Sequence, residues 1–438
     1  MKRRILSSEI EDFIGKKIFI TGWLHEKGTH NKATVFSIRD RHGIILIVDD
    51  ESKQSKKING LQNGSIISIE GTVVKKYGTA SQVEIHNPQI TVDLPVKYVA
   101  PVDINKRISH NSKNLKALFD NRVLTLRNIT ESDIWKIQEA VENAAVRYLK
   151  LHDFTEFHSP KILPASVEDD SKVFKLDYFG KQASLSDTTQ FYKQILTGSL
   201  ERVFEIAPTY RAEAEITSRH MSEFITIDTE IAFIDGLQDL KVLIASLINY
   251  ISREVWKESE PKLLALRSTK PLLKEKLPEV TLQELHRLYL REKGKDLSHK
   301  AEPTPEEENF ISEYSAKHWR SEAVFITEFP ANGMGFYDYK NEKNPKTIDR
   351  ADLIFRGIEI LTTRRREHRY PILMKQLKES GKNPKDVRYK YLLQAVKYGM
   401  PSHGGFGLGL ERLTAKIIGL KNVKEVSLFP RDASRLAP

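Results

Sequence analysis

Gly404-Gly405-Phe406-Gly407-Leu408-Gly409-Leu410-Glu411-Arg412 decides how this chain is read. Glycines alternate with large apolar residues, and the run closes on Glu-Arg. A strand with so few Cβ atoms can lie flat against a ligand. Its terminal arginine carries a planar, permanently charged fork. Taken alone, the same run also fits a strand packed close to its neighbour.

Residues 203–233, VFEIAPTYRAEAEITSRHMSEFITIDTEIAF, sharpen that choice. Val203–Ile206 and Phe224–Ile227 are apolar and β-branched on either side of a polar loop, which predicts two antiparallel strands joined by a long connection. The loop holds Arg211, Glu213, Arg219 and His220. A long, charged hairpin loop suits binding better than turning. Guanidinium groups pair bidentately with phosphate, so the loop suits a polyphosphate, and Phe224 could stack on a flat base. The plain alternative is a solvated hairpin with ordinary surface ion pairs, which leaves the shared phosphate-suited arginines of loop and glycine strand unexplained.

Together the two stretches resemble motifs 2 and 3 of the class II aminoacyl-tRNA synthetases, in the aspartyl/asparaginyl branch and most like its archaeal-type aspartyl enzymes. The resemblance runs from Gly22-Trp23 to Phe429-Pro430-Arg431-Asp432. It implies an α+β fold: an N-terminal OB-type β-barrel, then an antiparallel-sheet catalytic domain flanked by helices. It also implies ATP and Mg²⁺, tRNA and an amino acid as partners, a homodimer and a cytoplasmic location.

Bulk composition agrees with a protein of this kind. A chain of 438 residues is long for one core and suggests two or three domains. Its 39% hydrophobic and 29% charged residues are ordinary for a soluble globular protein. No apolar run is long enough to span a bilayer, and Met1–Leu6 lacks a signal-peptide core. The absence of cysteine excludes disulfides and cysteine-based zinc sites and fits a reducing compartment. A net charge of +10 favours a polyanionic partner, although basic proteins without one are common.

Along the chain, short strands are expected at about Lys17–Leu24, Thr34–Arg39, Ile44–Val48, Ser65–Val74 and Gln82–Val92, a number that suits an OB-type barrel. Residues 1–92 are expected to bind the anticodon, 93–125 to form a hinge, and 126–438 to be catalytic. Residues 131–152 have helical periodicity, with Thr130 or Ser132 as cap, and lead through Phe154–Phe157 to Ser159-Pro160. That helix, strand and proline resemble motif 1, the dimer interface of the family. Residues 236–320 are expected to be mostly helical. Strands return at Val324–Glu328, Met334–Tyr339 and Ala351–Ile360. Residues 364–390 carry ten Lys/Arg against three Asp/Glu; such a run is ordinarily a solvated face, and here it could meet a tRNA acceptor stem.

The resemblance assigns roles. Arg211, Glu359 and Arg412 are the expected catalytic residues. Arg211 would hold the α-phosphate and substrate carboxylate, Glu213 the adenine side, and Arg219 and His220 the γ-phosphate. Phe224 and Arg412 would sandwich the adenine, and Met221 and Gly409 complete the ATP set. Glu359, helped by Thr362, would hold Mg²⁺. Arg366 would pair with an acidic substrate side chain, supported by Lys193. Gln190 and Asp228 would bind the α-ammonium, and Glu168 would sit on a loop over the pocket.

Departures from the family pattern gather around that pocket. Asp187-Thr188-Thr189-Gln190 stands for Gln-Ser-Pro-Gln, Asp169-Asp170 for a glycine pair, and Thr363-Arg364-Arg365 for Gly-Gly-Gln. Asp187 puts a carboxylate where an anionic substrate would sit, and the extra arginines could balance the extra aspartates. In the barrel, the anticodon positions are Val35, Leu46 and Glu84, where relatives have a stacking Phe at the first and a Gln at the second. Three readings stay open: an aspartate–tRNA ligase for aspartate tRNA, with or without relaxed use of asparagine tRNA; a ligase for asparagine or another small amino acid; and a paralogue that keeps the ATP site without charging tRNA.

Overall fold

The structure is a computed structural model describing residues 3–30, 33–50, 53–76, 83–106, 108, 114–164 and 172–438. It divides into two compact units, Met1–Ser109 with Val123–Glu131, and His110–Arg122 with Ser132–Pro438. No helix among the described residues is long and apolar enough to cross a membrane.

In the first unit β1 (Lys17–His30), β2 (Ala33–Arg39), β3 (Ile44–Asp49), β4 (Ile66–Lys75) and β5 (Val83–Leu94) close a barrel in the order β1-β2-β3-β5-β4. Alternating residues fill it: Phe36 and Ile38, Ile45 and Ile47, Ile67 and Ile69 are all buried. Val35 pairs with Val48, Leu46 with Ser37, and Val48 with His86. Val35, Leu46 and Glu84 therefore share the outer face, whereas Phe36 is 1% exposed in the core and has no ring to offer a base. Glu84 is already held there by His86 Nε2 at 2.8 Å and Lys76 at 3.4 Å.

α1 (Leu115–Asp120) belongs to the second unit; the short α2 (Arg122–Thr125) and the first turn of α3 (Ile129–Leu151) fall within residues 122–131, all but Arg122 in the first unit, and the rest of α3 belongs to the second. The cap of α3 is neither Thr130 nor Ser132. Asn128 Oδ1 accepts from Glu131 N at 3.2 Å, while its amide donates to the carbonyls of Ile104 and Lys106, so tertiary bonds choose the start of the helix. The expected buried stripe is present, from Ile134 through Val141 to Tyr148.

Next come β6 (Thr155–Glu156), a small sheet ordered β7-β9-β8 from β7 (Ile162–Leu163), β8 (Lys175–Tyr178) and β9 (Lys181–Leu185), and α4 (Gln190–Leu200). β10 (Arg202–Tyr210) and β11 (Glu223–Ala232) form the expected long hairpin. Helices α5 (Leu237–Ala265), α6 (Leu282–Lys293) and α7 (Pro305–Trp319) alternate with β12 (Glu279–Thr281) and β13 (Ala323–Thr327). β14 (Arg350–Phe355) and β15 (Ile358–Arg366) precede α8 (Tyr370–Glu379), α9 (Val387–Lys397), β16 (His403–Gly409) and α10 (Leu410–Ile418). The main sheet runs β12-β13-β14-β15-β16-β11-β10-β6, antiparallel except for the parallel edge pairs β12–β13 and β10–β6.

Two expected strands take other forms. Ala351–Ile360 is not one strand but the end of β14, a tight turn and the start of β15; Arg356 and Gly357 both have positive φ, at 47° and 84°. Glu322 and the carbonyls of Lys416 and Thr269 hold the Arg356 side chain in that turn. Met334–Tyr339 forms turns rather than a strand. Gly333 has φ 82°, Asp338 accepts from Gly335 N, and the rings of Phe336 and Tyr337 pack with Phe191.

The glycine run is β16, lying between β15 and β11. Gly405 pairs with Glu230 of β11, and a Cβ there would lie 2.0 Å from Thr229 O and 2.2 Å from Glu230 Oε2. Both atoms are fixed, by the ladder and by an ion pair, so Gly405→Ala should cost about 3 kcal/mol or more and lower the melting temperature by several degrees. A thermal melt within one degree of the unaltered chain would refute this tight fit.

Candidate active site

The glycine strand lies beside the charged hairpin: Thr226 pairs with Gly409 and Asp228 with Gly407. A cavity of about 350 Å³ opens over β15, β16, β11 and β10. Arg211, Glu213, Arg219, His220, Met221 and Phe224 line it from the hairpin. Gly409 and Arg412 line it from the glycine strand and α10, and Glu359, Thr362 and Arg366 from β15. Asp187, Gln190 and Lys193 close the other end with Asp228. Glu168 and Asp169-Asp170 lie outside the described residues.

Toward the β10–β11 loop the cations differ in what they hold. The Arg211 side chain makes no ion pair with a described residue, and its Cζ stands 5.5 Å from the Phe224 ring centroid. Arg412 donates to Glu359 O at 2.8 Å, with the Glu359 carboxylate 3.7 Å away. Arg219 is paired with Glu308 of α7, so a phosphate would have to displace that carboxylate. Burial pushes the His220 imidazole down, aided by the Arg412 charge, and its Nδ1 meets Thr217 Oγ1 at 2.8 Å. Burial works against ionisation of Glu359, but Arg412, Arg350, the Thr362 hydroxyl (3.0 Å) and Arg211 outweigh it and hold the carboxyl below its usual range.

The other end is a buried ion network. Lys193 Nζ donates to Asp228 Oδ1 at 2.8 Å and Phe406 O at 3.1 Å, with Glu230 Oε2 at 3.7 Å. Burial opposes the Asp228 charge, yet Lys193 keeps that carboxyl below its usual value. Glu230 is pushed up by burial, which Arg366 and Lys193 offset only in part. Arg366 donates from Nε to Glu230 at 3.1 Å and from Nη2 to Gln190 Oε1 at 2.9 Å, and its Nη1 is 3.5 Å from Asp338. Of the substituted triplet, Thr363 and Arg365 turn away from the cavity: Thr363 Oγ1 donates to Gly405 O, and Arg365 lies over the Tyr339 ring at 4.0 Å. Arg364 alone enters the cavity, and its carboxylate partner is Asp338 at 3.0 Å, not the added aspartate at 187.

Several participants escaped sequence reasoning. Glu230 is two residues beyond Asp228 on one strand, so alternation alone could have found it. Asp352 sits opposite Thr362, was hidden by the unrecognised turn, and is held by Arg350 from Nε and Nη2 at 3.0 and 2.6 Å. Burial, and then the neighbouring Glu359 charge, raise its carboxyl despite that arginine. Glu308 had no local signal.

The fold and this cavity define a class. Residues 114–433 match the tRNA synthetases class II (D, K and N), and residues 18–93 match the OB-fold nucleic acid binding domain. The chain belongs to the class II tRNA synthetases: it is an aminoacyl-tRNA ligase with an OB-fold domain. It is 34% identical over 439 residues to the aspartate–tRNA(Asp/Asn) ligase of Thermus thermophilus, covering 99% of this chain and 100% of that one. It is likewise 34% identical over 444 residues to the aspartate–tRNA(Asp) ligase of Pyrococcus horikoshii, covering 100% of each. Among solved structures it resembles the P. horikoshii asparaginyl-tRNA synthetase complexed with asparaginyl-adenylate, with a TM-score of 0.90, 26% identity and 100% of both chains covered.

One cavity carboxyl titrates near neutrality. Glu411 accepts from Ile225 N with both oxygens, at 3.0 and 3.1 Å, just beyond the Thr226–Gly409 pair. Burial raises its pKa from 4.5 to about 7, against the backbone hydrogen bonds. The folded chain therefore keeps a proton that the unfolded chain releases between those values. The stability tied to it is present below that window and is lost as pH rises through it. Glu411→Gln removes the titration, so its melting temperature should fall less between about pH 5 and pH 7 than that of the unaltered chain. Identical slopes in the two proteins would refute the assignment.

Proposed function

We propose that this chain activates aspartate with ATP and transfers it to tRNA, and that its barrel, residues 1–92, meets the anticodon while residues 126–438 carry the chemistry and 93–125 connect them. The reading is carried by one observation: every described residue singled out for nucleotide or amino-acid binding lines a single cavity. It is supported by relatives named as aspartate–tRNA ligases across their full length.

In the first step an oxygen of the aspartate α-carboxylate attacks the α-phosphorus of ATP, and pyrophosphate leaves with the electrons of the broken P–O bond. In the second a tRNA hydroxyl attacks the aspartyl carbonyl and AMP leaves. Two anions meet in the first step, so positioning and charge stabilisation dominate. Arg211, which makes no ion pair with a described residue, takes the charge developing on the α-phosphate. Arg412, fixed by Glu359 O, faces the base opposite Phe224. Arg219 exchanges Glu308 for the outer phosphates, and the neutral His220 donates to them.

Glu359 and Thr362 fit Mg²⁺. Their oxygens are hard donors 3.0 Å apart, and the Glu359 carboxyl stays ionised. No cluster of three or more metal-ligating side chains occurs among the described residues, so phosphate oxygens and water would complete the shell. Bound there, the ion neutralises phosphate charge.

A second reading, charging of both aspartate and asparagine tRNAs, is favoured by the barrel. Its outer face offers aliphatic Val35 and Leu46, and its Glu84 is already engaged by His86 and Lys76. We place the chain in the cytoplasm as a homodimer formed through α3, β6 and Pro160, which sedimentation tests directly.

ATP–pyrophosphate exchange across the proteinogenic amino acids, with and without tRNA, tests the main reading. Exchange with aspartate followed by stable charging is expected; exchange without charging would leave a paralogue, and no exchange would remove the activity. In the same assay Arg412→Ala should raise the KM for ATP about tenfold or more and leave the KM for aspartate nearly unchanged.

A further inference from the structure

The first turn of α7 is fixed from several sides. Thr304 caps it: its Oγ1 accepts from Glu307 N at 3.3 Å, while Glu307 Oε2 accepts from Thr304 N at 3.0 Å. The other Glu307 oxygen meets His286 Nδ1 of α6 at 2.6 Å, and the far nitrogen of that ring stands 3.2 Å from Lys300 O. The next residue, Glu308, is thereby set in place, and it is 7% exposed. A single oxygen, Oε2, accepts from Arg219 Nη2 and from Glu359 N of β15, the latter at 2.8 Å. The backbone around Arg219 is held independently. Ser218 O accepts from Val423 N at 2.9 Å, and Arg219 N donates to Thr217 Oγ1 at 3.1 Å. Arg219 and Glu359 line the cavity; Glu308 is not among its lining residues.

We propose that Glu308 is a positioning residue for nucleotide binding: its one oxygen sets the guanidinium of Arg219 and the backbone of Glu359 before ATP arrives. The inference rests on the reading of the cavity as an ATP site and adds to it a residue that touches no substrate. Arginine has a long side chain whose conformational freedom is lost when it binds a ligand. Glu308 removes that freedom in the folded chain, ahead of the nucleotide. An outer phosphate then takes the guanidinium over from a carboxylate, and charge-assisted N–H···O pairing is kept throughout. Glu308 retains its second bond, to Glu359 N, during the exchange, so β15 stays in register with the loop. One oxygen makes both bonds, so a side chain with a single carbonyl oxygen on a stem of the same length can make them as well. Placement of that oxygen, more than its charge, is what the site requires.

The test is aspartate-dependent ATP–pyrophosphate exchange by the unaltered chain, Glu308→Ala, Arg219→Ala, the double variant, Glu308→Asp and Glu308→Gln. Glu308→Ala should raise the KM for ATP about fivefold or more and change the KM for aspartate less than about twofold. In the double variant the KM for ATP should stay well below the product of the two single effects, by about threefold or more, because much of the alanine effect passes through Arg219. Glu308→Asp keeps the charge but withdraws the oxygen by one methylene, and should raise the KM for ATP about threefold or more. Glu308→Gln keeps the oxygen without the charge, and should remain within about twofold of the unaltered chain. The last two variants decide between placement and charge even where Glu308→Ala does not fold. An impaired Glu308→Gln beside a normal Glu308→Asp would overturn the proposal. So would single effects that multiply in the double variant, or equal rises in both KM values. Absence of exchange by the unaltered chain with any amino acid would remove the reading of the site and this proposal with it; normal exchange with any of the three contrary results removes this proposal alone.

Discussion

The missing Cβ of Gly405 is the constraint on which the closed end of the cavity depends. β16 approaches β11 so closely that Thr229 O and Glu230 Oε2 occupy the space any side chain would need. That approach lets the Glu230 carboxylate lie against the sheet and reach Arg366 from below, while Lys193 reaches Phe406 O across the same strand. A glycine run that reads as a flat floor for a ligand is thus equally a floor for buried carboxylates. The two explanations of the run, ligand platform and close packing, turn out to describe one arrangement.

Burying so many charges is costly, and the cost is contained only because partners are within reach. Lys193, Arg364 and Arg366 are set against Asp228, Glu230 and Asp338, with Gln190 Oε1 taking one more donor. Such a network has little spare positive charge, so what matters for recognition is which donors the network leaves over. By that criterion the arginines of the site fall into two groups. Among the described residues Arg366 and Arg219 are paired with carboxylates, whereas Arg211 and the Nε and Nη2 of Arg364 are not. Alignment by motif cannot see this division, because a paired and an unpaired arginine are spelled alike.

Much of the fold was legible for local reasons. The barrel strands alternate cleanly, α3 carries its apolar stripe, and the hairpin from β10 to β11 has β-branched flanks. What was misread depended on distant groups. The turn between β14 and β15 is made by Arg356-Gly357, which lacks the Asn-Gly or Asp-Gly signal of a tight hairpin and is held by Glu322 and carbonyls far along the chain. The cap of α3 passed to Asn128 because its amide finds Ile104 O and Lys106 O. Phe336 and Tyr337 look like strand residues but pack as a ring cluster with Phe191. In the cavity, residues within the motifs were found, and residues that act on the motifs from elsewhere, such as Glu308 and Asp338, were not.

Glu308 shows why that second kind matters. It comes from α7, in a helical stretch with no chemical signal of its own. Its Oε2 meets the Arg219 guanidinium and also accepts from Glu359 N at 2.8 Å. One carboxylate therefore ties the loop between β10 and β11 to β15. Burial raises its carboxyl, and the Arg219 charge opposes that rise without cancelling it. On the proposed reading an outer phosphate takes Arg219 from Glu308, so one anion replaces another at the guanidinium and the change in local charge around the arginine is small. Glu308, relieved of its cation but still bonded to Glu359 N, is then pushed further toward protonation by its buried position. On the proposed reading the exchange costs less than extracting a bare arginine from water would, and the Glu308 carboxylate holds Arg219 in place for it, the form of preorganisation that a site built mainly on positioning requires.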